Sequence, residues 1–242
     1  MKFLFLFLTA FFMFISIPSF SQSNADDFDY ETQFVYGINL NTQSGLIGGF
    51  SFRYSKAINE TMFHSFSLEL VDVRHPKEQR RASRLSGEFF TPGKRNFLYV
   101  LRPQYGREWV LFRKAEERGI QVNAIGAVGP TIGIVAPYII DYQFTNEIIR
   151  TEQYDPNVHT SFEAVIGTGS FGKRITDAKI QLGASLKTSL ALEFSAFKGS
   201  QVGFEAGMMI DAYSKKIEIM GLAENKQIFP SAFFTLFYGI SK

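Results

Sequence analysis

The chain contains no cysteine among its 242 residues. This absence excludes a disulfide scaffold, a cysteine-ligated zinc or iron–sulfur site, a thiol nucleophile and a lipid anchor on an N-terminal cysteine. Net charge is also small, since 25 basic residues stand against 23 acidic ones, and no overall basic field favours nucleic acid. A hydrophobic content of 45% is too high for a disordered chain. The length suits one or two domains.

Residues 1–21 have the form of a secretory signal peptide. A positive charge at Lys2 precedes an apolar run over residues 3–17, and Pro18 is followed by Ser-Phe-Ser. We expect the mature chain to begin at Gln22, to be exported, and to start with an acidic periplasmic tail over residues 22–30. A retained membrane anchor is the alternative, but about 15 apolar residues are short for a spanning helix.

Apolar and polar residues alternate with period two along the mature chain, which is typical of β-strands. The clearest case runs from residue 179 to 195. The last segment is apolar on both faces, so its register cannot be assigned from the sequence. Eight strands are predicted within residues 33–40, 50–55, 65–70, 97–104, 120–129, 179–195, 202–211 and 228–240.

One uncharged stretch, residues 119–140, is long enough to cross a membrane as a helix. Its alternation has period two rather than 3.6, and Pro130 and Pro137 would interrupt a helix. A transmembrane helix therefore stays only an alternative for this segment.

The connections between the predicted strands alternate in length. Those at 57–60, 113–119 and 197–200 are short, those near 73–95, 136–177 and 214–226 are long, and only the first, at 41–45, departs from the alternation. An even number of strands with short turns at one end and long loops at the other is typical of outer-membrane barrels. We therefore expect an all-β fold over residues 31–242: an eight-stranded antiparallel transmembrane β-barrel, an up-and-down meander with both termini in the periplasm.

Alternation alone does not separate a membrane barrel from a soluble, lipocalin-like barrel with the opposite face inside. The polar register here is rich in small residues, as the crowded lumen of eight strands requires: Gly37, Gly49, Ser51, Ser65, Ser67, Gly183, Ser185, Ser189, Ala191, Gly203 and Gly207. We therefore expect the polar face inside and the apolar face against lipid. Aromatic girdles are expected at Tyr36, Tyr54, Tyr99, Tyr105, Trp109, Tyr138 and Tyr238.

The inward register carries ionisable residues of both signs, which must pair in a narrow lumen. The set is Arg53, Glu69, Arg102, Glu108, Lys187, Glu193, Glu205 and Asp211. A tight hairpin at 197–200 would place Lys187 opposite Asp211 and Glu193 opposite Glu205. The two glutamates would repel unless Arg53 or Arg102 reaches them or one carboxylate holds a proton. Paired carboxylates can be catalytic, but a structural ion network is the favoured interpretation.

Two of the long loops carry opposite charge. Residues 73–95 hold seven basic residues against two acidic ones, and residues 141–163 hold five acidic residues against one basic one. The two loops could neutralise each other at one rim. Alternatively the basic loop binds lipopolysaccharide phosphates or an acidic partner protein, since arginine favours bidentate phosphate contacts. The candidate contacts are Arg74, Lys77, Arg80, Arg81 and Arg84.

Candidate chemistry is sparse. The segment 159–163 offers His159, Ser161 and Glu163, a set that rim enzymes could use, and residues 167–173 satisfy GxGxxG without the strand-then-helix context that binds phosphate. We interpret the second as a flexible loop. His64 is expected in the lipid-facing register near a short turn. The sequence predicts no catalytic, cofactor or metal site.

With these features in place, the chain resembles the small OmpA/OmpX-like outer-membrane barrels. Residues 101–108 and 122–130 look more particularly like uncharacterised Bacteroidetes-type outer-membrane barrels, although Phe237 and Tyr238 are followed by four more residues where such barrels usually end on an aromatic. The resemblance implies a non-catalytic structural or accessory subunit of a secretion or outer-membrane protein assembly complex. An enzyme acting on lipid A at the barrel rim is the alternative. Expected partners are outer-membrane lipid, lipopolysaccharide and envelope proteins, and not nucleic acid.

Overall fold

A computed structural model describes residues 31–45, 47–113, 119–145, 147–169, 176–197 and 199–242. The predicted signal peptide over 1–21 and the acidic tail over 22–30 lie outside the described residues. Within the described ranges, no helix combines the length and the apolar character needed to cross a bilayer.

Eight long antiparallel strands form the body of the molecule. They are β1 (Thr32–Asn41), β2 (Gly49–Asn59), β3 (Met62–Val73), β6 (Asn96–Phe112), β7 (Ile120–Pro137), β11 (Lys179–Phe197), β12 (Ser200–Ile217) and β13 (Lys226–Ser241). Each strand pairs with its neighbours in the chain, and β1 pairs with β13 to close the sheet into a barrel. The predicted eight-stranded up-and-down barrel is therefore confirmed.

Every predicted strand segment lies inside one of these strands. The helical alternative for residues 119–140 is wrong, because this stretch forms β7. Pro103 on β6 stands opposite Pro130 on β7, at a gap in the β6–β7 pairing between Leu101 and Tyr105. Proline has no N–H to donate to a ladder, so placing both prolines at one level confines the lost hydrogen bonds to one site.

The long connections contain short strands of their own. These are β4 (Arg81–Ala82) and β5 (Phe89–Phe90), which pair as a hairpin, and β8 (Ile139–Gln143), β9 (Ile149–Gln153) and β10 (Val165–Thr168), which form a sheet in the order β10-β8-β9. We call these five strands, together with the other described residues of the three long connections β3–β6, β7–β11 and β12–β13, the loop cap. Its apolar core consists of Phe90, Tyr138, Ile140, Tyr142, Tyr154 and Val165.

This core corrects one expectation. Tyr138 is not part of a lipid-facing girdle, because its side chain is only 2% exposed. Its hydroxyl accepts a hydrogen bond from the backbone N–H of Thr91 at 2.8 Å. The aromatic ring is therefore used to pack the loop cap on the end of the barrel.

The structure also settles the register of the last strand. Phe229, Phe233 and Phe237 of β13 are buried inside the barrel, whereas Phe234 and Leu236 point outward. The lumen is therefore lined by phenylalanine on one strand and by small and polar residues on most of the others.

Candidate functional site

The ionisable residues of the inward register all lie buried in the lumen, although they come from five different strands. They are Arg53 on β2, Glu69 on β3, Arg102 and Glu108 on β6, Lys187 and Glu193 on β11, and Glu205 and Asp211 on β12. The alternation of the strands places them there, because residues two apart on a strand share a face. We call this set the lumen network.

Arg102 lies at the end of the network nearer the long loops. Its Nη2 is 2.6 Å from Asp211 Oδ2 and its Nε is 2.9 Å from Asp211 Oδ1, which is the bidentate arrangement that guanidinium and carboxylate favour. Arg102 Nη1 is also 3.5 Å from Glu69 Oε2. Lys187 continues the network, with Nζ 2.7 Å from Glu69 Oε1 and 2.9 Å from Glu205 Oε1.

The network then runs toward the short turns. Arg53 Nη1 is 2.8 Å from Glu205 Oε2, and Arg53 Nε is 3.9 Å from Glu108 Oε2. The amide of Asn123 donates to Glu108 at 2.7 Å and to Glu193 at 3.2 Å. Cations and carboxylates therefore alternate along the lumen and end on two glutamates that share an amide donor.

Two expected pairs across β11 and β12 are wrong. Asp211 pairs with Ser185 rather than Lys187, and Glu205 pairs with Ala191 rather than Glu193, so the true register differs by two residues. One residue of this difference arises at an irregularity in the pairing between Ser195 and Phe197, and the other arises at the hairpin, which pairs Phe197 directly with Ser200. Arg53 nevertheless reaches Glu205 and supplies the compensating charge.

Aromatic and apolar side chains fill the rest of the lumen. Lys187 Nζ lies 4.7 Å from the centre of the Phe233 ring, and the Arg53 guanidinium lies 5.8 Å from the centre of the Phe237 ring, both within cation–π range. An apolar cluster occupies the end nearer the long loops: Val71, Val73, Leu98, Val100, Tyr213, Ile217, Ile219, Met220 and Phe229. In the described residues, the barrel is thus packed with side chains from the loop end to the network.

The outer wall presents apolar side chains. Six of the seven aromatic residues expected in girdles lie on it: Tyr36, Tyr54, Tyr99, Tyr105, Trp109 and Tyr238. Ring pairs stabilise adjacent strands there, as between Tyr36 and Tyr238 at 5.5 Å and between Phe66 and Tyr105 at 5.3 Å. Most of these rings lie toward the short turns.

The basic loop divides into paired and exposed cations. Arg74 Nε is 2.7 Å from Asp72, its neighbour two residues away, and Arg84 Nη1 is 2.6 Å from Glu163 of the acidic loop. The second pair is a direct contact between the two oppositely charged loops, as the neutralisation hypothesis expects. The remaining candidate contacts, Lys77, Arg80 and Arg81, are exposed.

Lys94 has the most enclosed position among the cations of the basic loop. Its Nζ is 2.7 Å from Glu78 Oε2 and 4.2 Å from the centre of the Phe97 ring. Burial lowers the pKa of Lys94 below its ordinary value, and the nearby Glu78 carboxylate opposes that shift. This pair joins the start of the basic loop to the segment that leads into β6.

The structure gives His159 a packing role. Its ring is buried among Tyr142, Tyr154 and Phe144, with ring centres 4.7, 5.7 and 5.9 Å away. Nδ1 accepts the backbone N–H of Asp155 at 2.9 Å, and Nε2 lies 2.9 Å from Glu152 Oε1. Both ring nitrogens are therefore engaged.

The other members of the candidate catalytic segment point elsewhere. Glu163 pairs with Arg84, and Ser161 uses its backbone N–H to approach the Tyr142 hydroxyl at 3.4 Å. The described geometry does not bring a nucleophile to His159. In the GxGxxG segment, Gly167 and Thr168 belong to strand β10 rather than to a flexible loop, and residues 170–173 lie outside the described residues.

A cleft of about 680 Å³ opens where the strand ends meet the loop cap. Its charged lining residues are Arg95, Glu152, Asp177, Lys179, Lys216 and Glu218. Arg95 and Glu218 pair at 3.0 Å. The described part of this lining holds three cations and three carboxylates, so those residues show no excess of one sign that would select a cation or an anion.

No protein-family model and no curated protein matches the chain, so the particular resemblance to Bacteroidetes-type barrels stays a prediction. Solved structures do match. Neisserial surface protein A is 8% identical with a TM-score of 0.41, over 88% of this chain and 97% of that one. Ail, the attachment invasion locus protein of Yersinia pestis, matches in complex with the heparin analogue sucrose octasulfate (8% identity, TM-score 0.41, 86% and 95% covered) and in a second crystal structure (11%, 0.40, 87% and 98%).

Proposed function

We propose that the protein is an integral outer-membrane barrel that acts as a non-conducting and non-catalytic accessory subunit of an envelope protein complex. The observation that carries this proposal is the distribution of polarity across the barrel wall. Large apolar side chains such as Phe50, Leu68, Leu186 and Leu236 are exposed on the outside, while charged residues are buried inside. In water this arrangement is unfavourable, whereas in a bilayer it is the arrangement expected of a spanning barrel.

The orientation follows from the connections. Outer-membrane barrels have short turns on the periplasmic side and long loops outside, so the loop cap would face the exterior and both termini the periplasm. The predicted signal peptide would direct export, as such a location requires.

A packed lumen argues against transport. The lumen of eight strands is only wide enough for side chains, and here it is occupied by the lumen network and by the apolar cluster at the loop end. We therefore expect no solute conductance in planar bilayers. Steady conductance steps for small solutes would contradict this part of the proposal.

The loop cap supplies the surface for partners. Phe89 and Leu222 are 68% and 67% exposed beyond the barrel wall, and Ile149 on β9 is 58% exposed. Exposed apolar residues outside the lipid belt favour contact with another protein. The exposed cations Lys77 and Arg80 add a surface for lipopolysaccharide phosphate or for acidic side chains on the partner.

Native purification in mild detergent tests the proposal. We expect a stoichiometric partner with the wild-type protein and its loss in the variant Phe89→Ser/Leu222→Ser, with the heat-modified gel shift of the folded barrel unchanged. Leu186→Ala is the control, because it removes an equally exposed apolar side chain from the wall. A barrel that purifies without partners and alters the mass of lipid A would instead support an enzyme at the rim.

A further inference from the structure

Three basic residues interrupt the apolar outer wall. Lys56 on β2, His64 on β3 and Arg107 on β6 all face outward, and each is directly opposite the next across the sheet. In the described strands, the outward positions of the half of the barrel nearer the short turns carry no other basic side chain and no carboxylate. We call these three residues the basic row.

The basic row is compact. Side chains directly opposite on paired strands are about 5 Å apart at Cβ, and two strand spacings place Lys56 about 10 Å from Arg107. His64 Nδ1 is 2.6 Å from the hydroxyl oxygen of Tyr105, so Nε2 is the ring nitrogen left for another group. Three nitrogen-bearing side chains therefore reach one small area of the wall.

Aromatic residues flank the basic row on both sides. Tyr54 and Tyr105 lie two residues away toward the middle of the barrel, and Trp109 lies two residues away toward the turns. Tyrosine and tryptophan on the lipid-facing side mark the level of the headgroups. At this level a cation on a barrel wall costs only about 0–1 kcal/mol, against about 2–4 kcal/mol at the bilayer midplane.

The depth of these residues in the bilayer does not by itself explain why three basic residues are adjacent. Lys56 and Arg107 carry like charges about two strand spacings apart, and no carboxylate shares the outward face of these strands at this level. An anion bound between them would attract both cations, and His64 between them could add a hydrogen bond. At the level of the headgroups the abundant anion is phosphate, which guanidinium and ammonium groups bind well.

We propose that Lys56, His64 and Arg107 form a binding site for the phosphate of an anionic phospholipid in the leaflet around the short turns. The inference rests on the membrane location given under Proposed function, and in that orientation the leaflet is the periplasmic one. The phosphate would lie between Lys56 and Arg107, with the acyl chains against Phe66 and the apolar wall above it.

The fluorescence of Trp109 can report on lipid bound at this site. Trp109 is the single tryptophan of the chain, lies on the same face of β6 as Arg107, and is 40% exposed. Lipids that carry a nitroxide on the acyl chain next to the glycerol quench a tryptophan near the level of the headgroups, where Trp109 lies. We would insert the full mature barrel into phosphatidylcholine vesicles and compare quenching of Trp109 by nitroxide-labelled phosphatidylglycerol and nitroxide-labelled phosphatidylcholine.

We expect phosphatidylglycerol to be the stronger quencher in the wild type, with a preference of about fivefold for each cation that contacts the headgroup. The preference should disappear in Lys56→Gln/Arg107→Gln and persist in Lys215→Gln/Lys226→Gln, which removes the same charge from exposed positions at the opposite end of the barrel. It should also fall as salt rises, since screening weakens exposed charge interactions.

The outcomes separate this inference from the proposed function. Equal quenching by both lipids in the wild type, or a preference that survives the Lys56/Arg107 substitution, would overturn the phosphate site and leave the membrane barrel intact. If neither lipid quenches Trp109, the barrel is not embedded and the proposed function fails. If the double variant does not fold, an unchanged preference of the wild type at high salt would still overturn the inference.

Discussion

Replacing Arg102 by alanine tests whether the lumen network holds the barrel together. The substitution removes a guanidinium that makes a bidentate contact with Asp211 at 2.6 and 2.9 Å. Asp211 is 1% exposed, and of its side-chain hydrogen bonds to described residues only the one from the Thr131 hydroxyl, at 3.2 Å, would remain. Removing one partner of a buried ion pair costs about 3–5 kcal/mol, because the remaining charge stays desolvated. Glu69 suffers less, since Lys187 still contacts it at 2.7 Å.

The free energy of unfolding would be measured by urea titration of the barrel in phospholipid vesicles, followed by Trp109 fluorescence and by the heat-modified gel shift. Arg84→Ala is the matched control. Arg84 pairs with Glu163 at 2.6 Å, the same distance, but the two side chains are 77% and 69% exposed. An exposed pair contributes about 0–1 kcal/mol, so the two alanine variants should differ by several kcal/mol although both remove an arginine.

A second variant separates charge from packing. In Arg102→Met/Asp211→Leu both charges are gone and apolar side chains occupy their space, which is often close to neutral for stability. We expect this double variant to be more stable than Arg102→Ala. If Arg102→Ala lost no more stability than Arg84→Ala, or if the double variant were the weaker, the lumen network would not be a stabilising plug.

Three smaller changes probe other contacts. In Gly203→Ala the new Cβ would lie 2.6 Å from Cζ of Phe237, so we expect a loss of about 1–3 kcal/mol in the same urea titration, and an unchanged midpoint would contradict this packing. Burial beside Glu78 lowers the pKa of Lys94, so the stability of the wild type relative to Lys94→Met should rise with pH toward about 10.5, where the unfolded side chain loses its proton. Protease resistance of the loop cap at stepped pH would measure this stability difference. A difference that does not change with pH would contradict the prediction. His159→Phe keeps an aromatic ring but loses both ring hydrogen bonds, so its loop cap should be cleaved faster than that of the wild type.

The barrel was predictable from the sequence because its strands have two faces of different polarity. Alternation over residues 179–195 fixes which side of β11 faces the lumen, and the same reasoning places Arg53 and Arg102 inside. β13 lacks this signal, since Phe233 and Phe234 are equally apolar. Only the paired neighbours show that Phe233 faces inward beside Lys187.

Contacts between distant segments were beyond sequence reasoning. The pairing irregularity between Ser195 and Phe197 moves the β11–β12 register by one residue, and no local sequence pattern indicates it. Tyr138 directly follows β7 and is of a residue type that is common in aromatic girdles, yet the loop cap buries it. The basic row could not be predicted for a related reason. Lys56 and Arg107 are 51 positions apart in the sequence, and they lie close together only because each of them pairs with His64 across the sheet.

The turn end of the lumen shows how amide groups add to ion pairs in satisfying buried carboxylates. The lumen network contains five carboxylates and three cations, and the two carboxylates farthest along it, Glu108 and Glu193, both accept from the Asn123 amide. Gln33 donates a further hydrogen bond to Glu193 at 3.1 Å. Hydrogen bonds donated to a buried carboxylate replace those that it loses from water, and here they add to the contact of Arg53 with Glu108. Asn123 thus links Glu108 and Glu193 as Lys187 links Glu69 and Glu205, and Asn123→Leu should destabilise the barrel by more than its change in volume would suggest, because it removes a donor from buried acceptors. Val122→Leu on the outer face would calibrate the effect of volume.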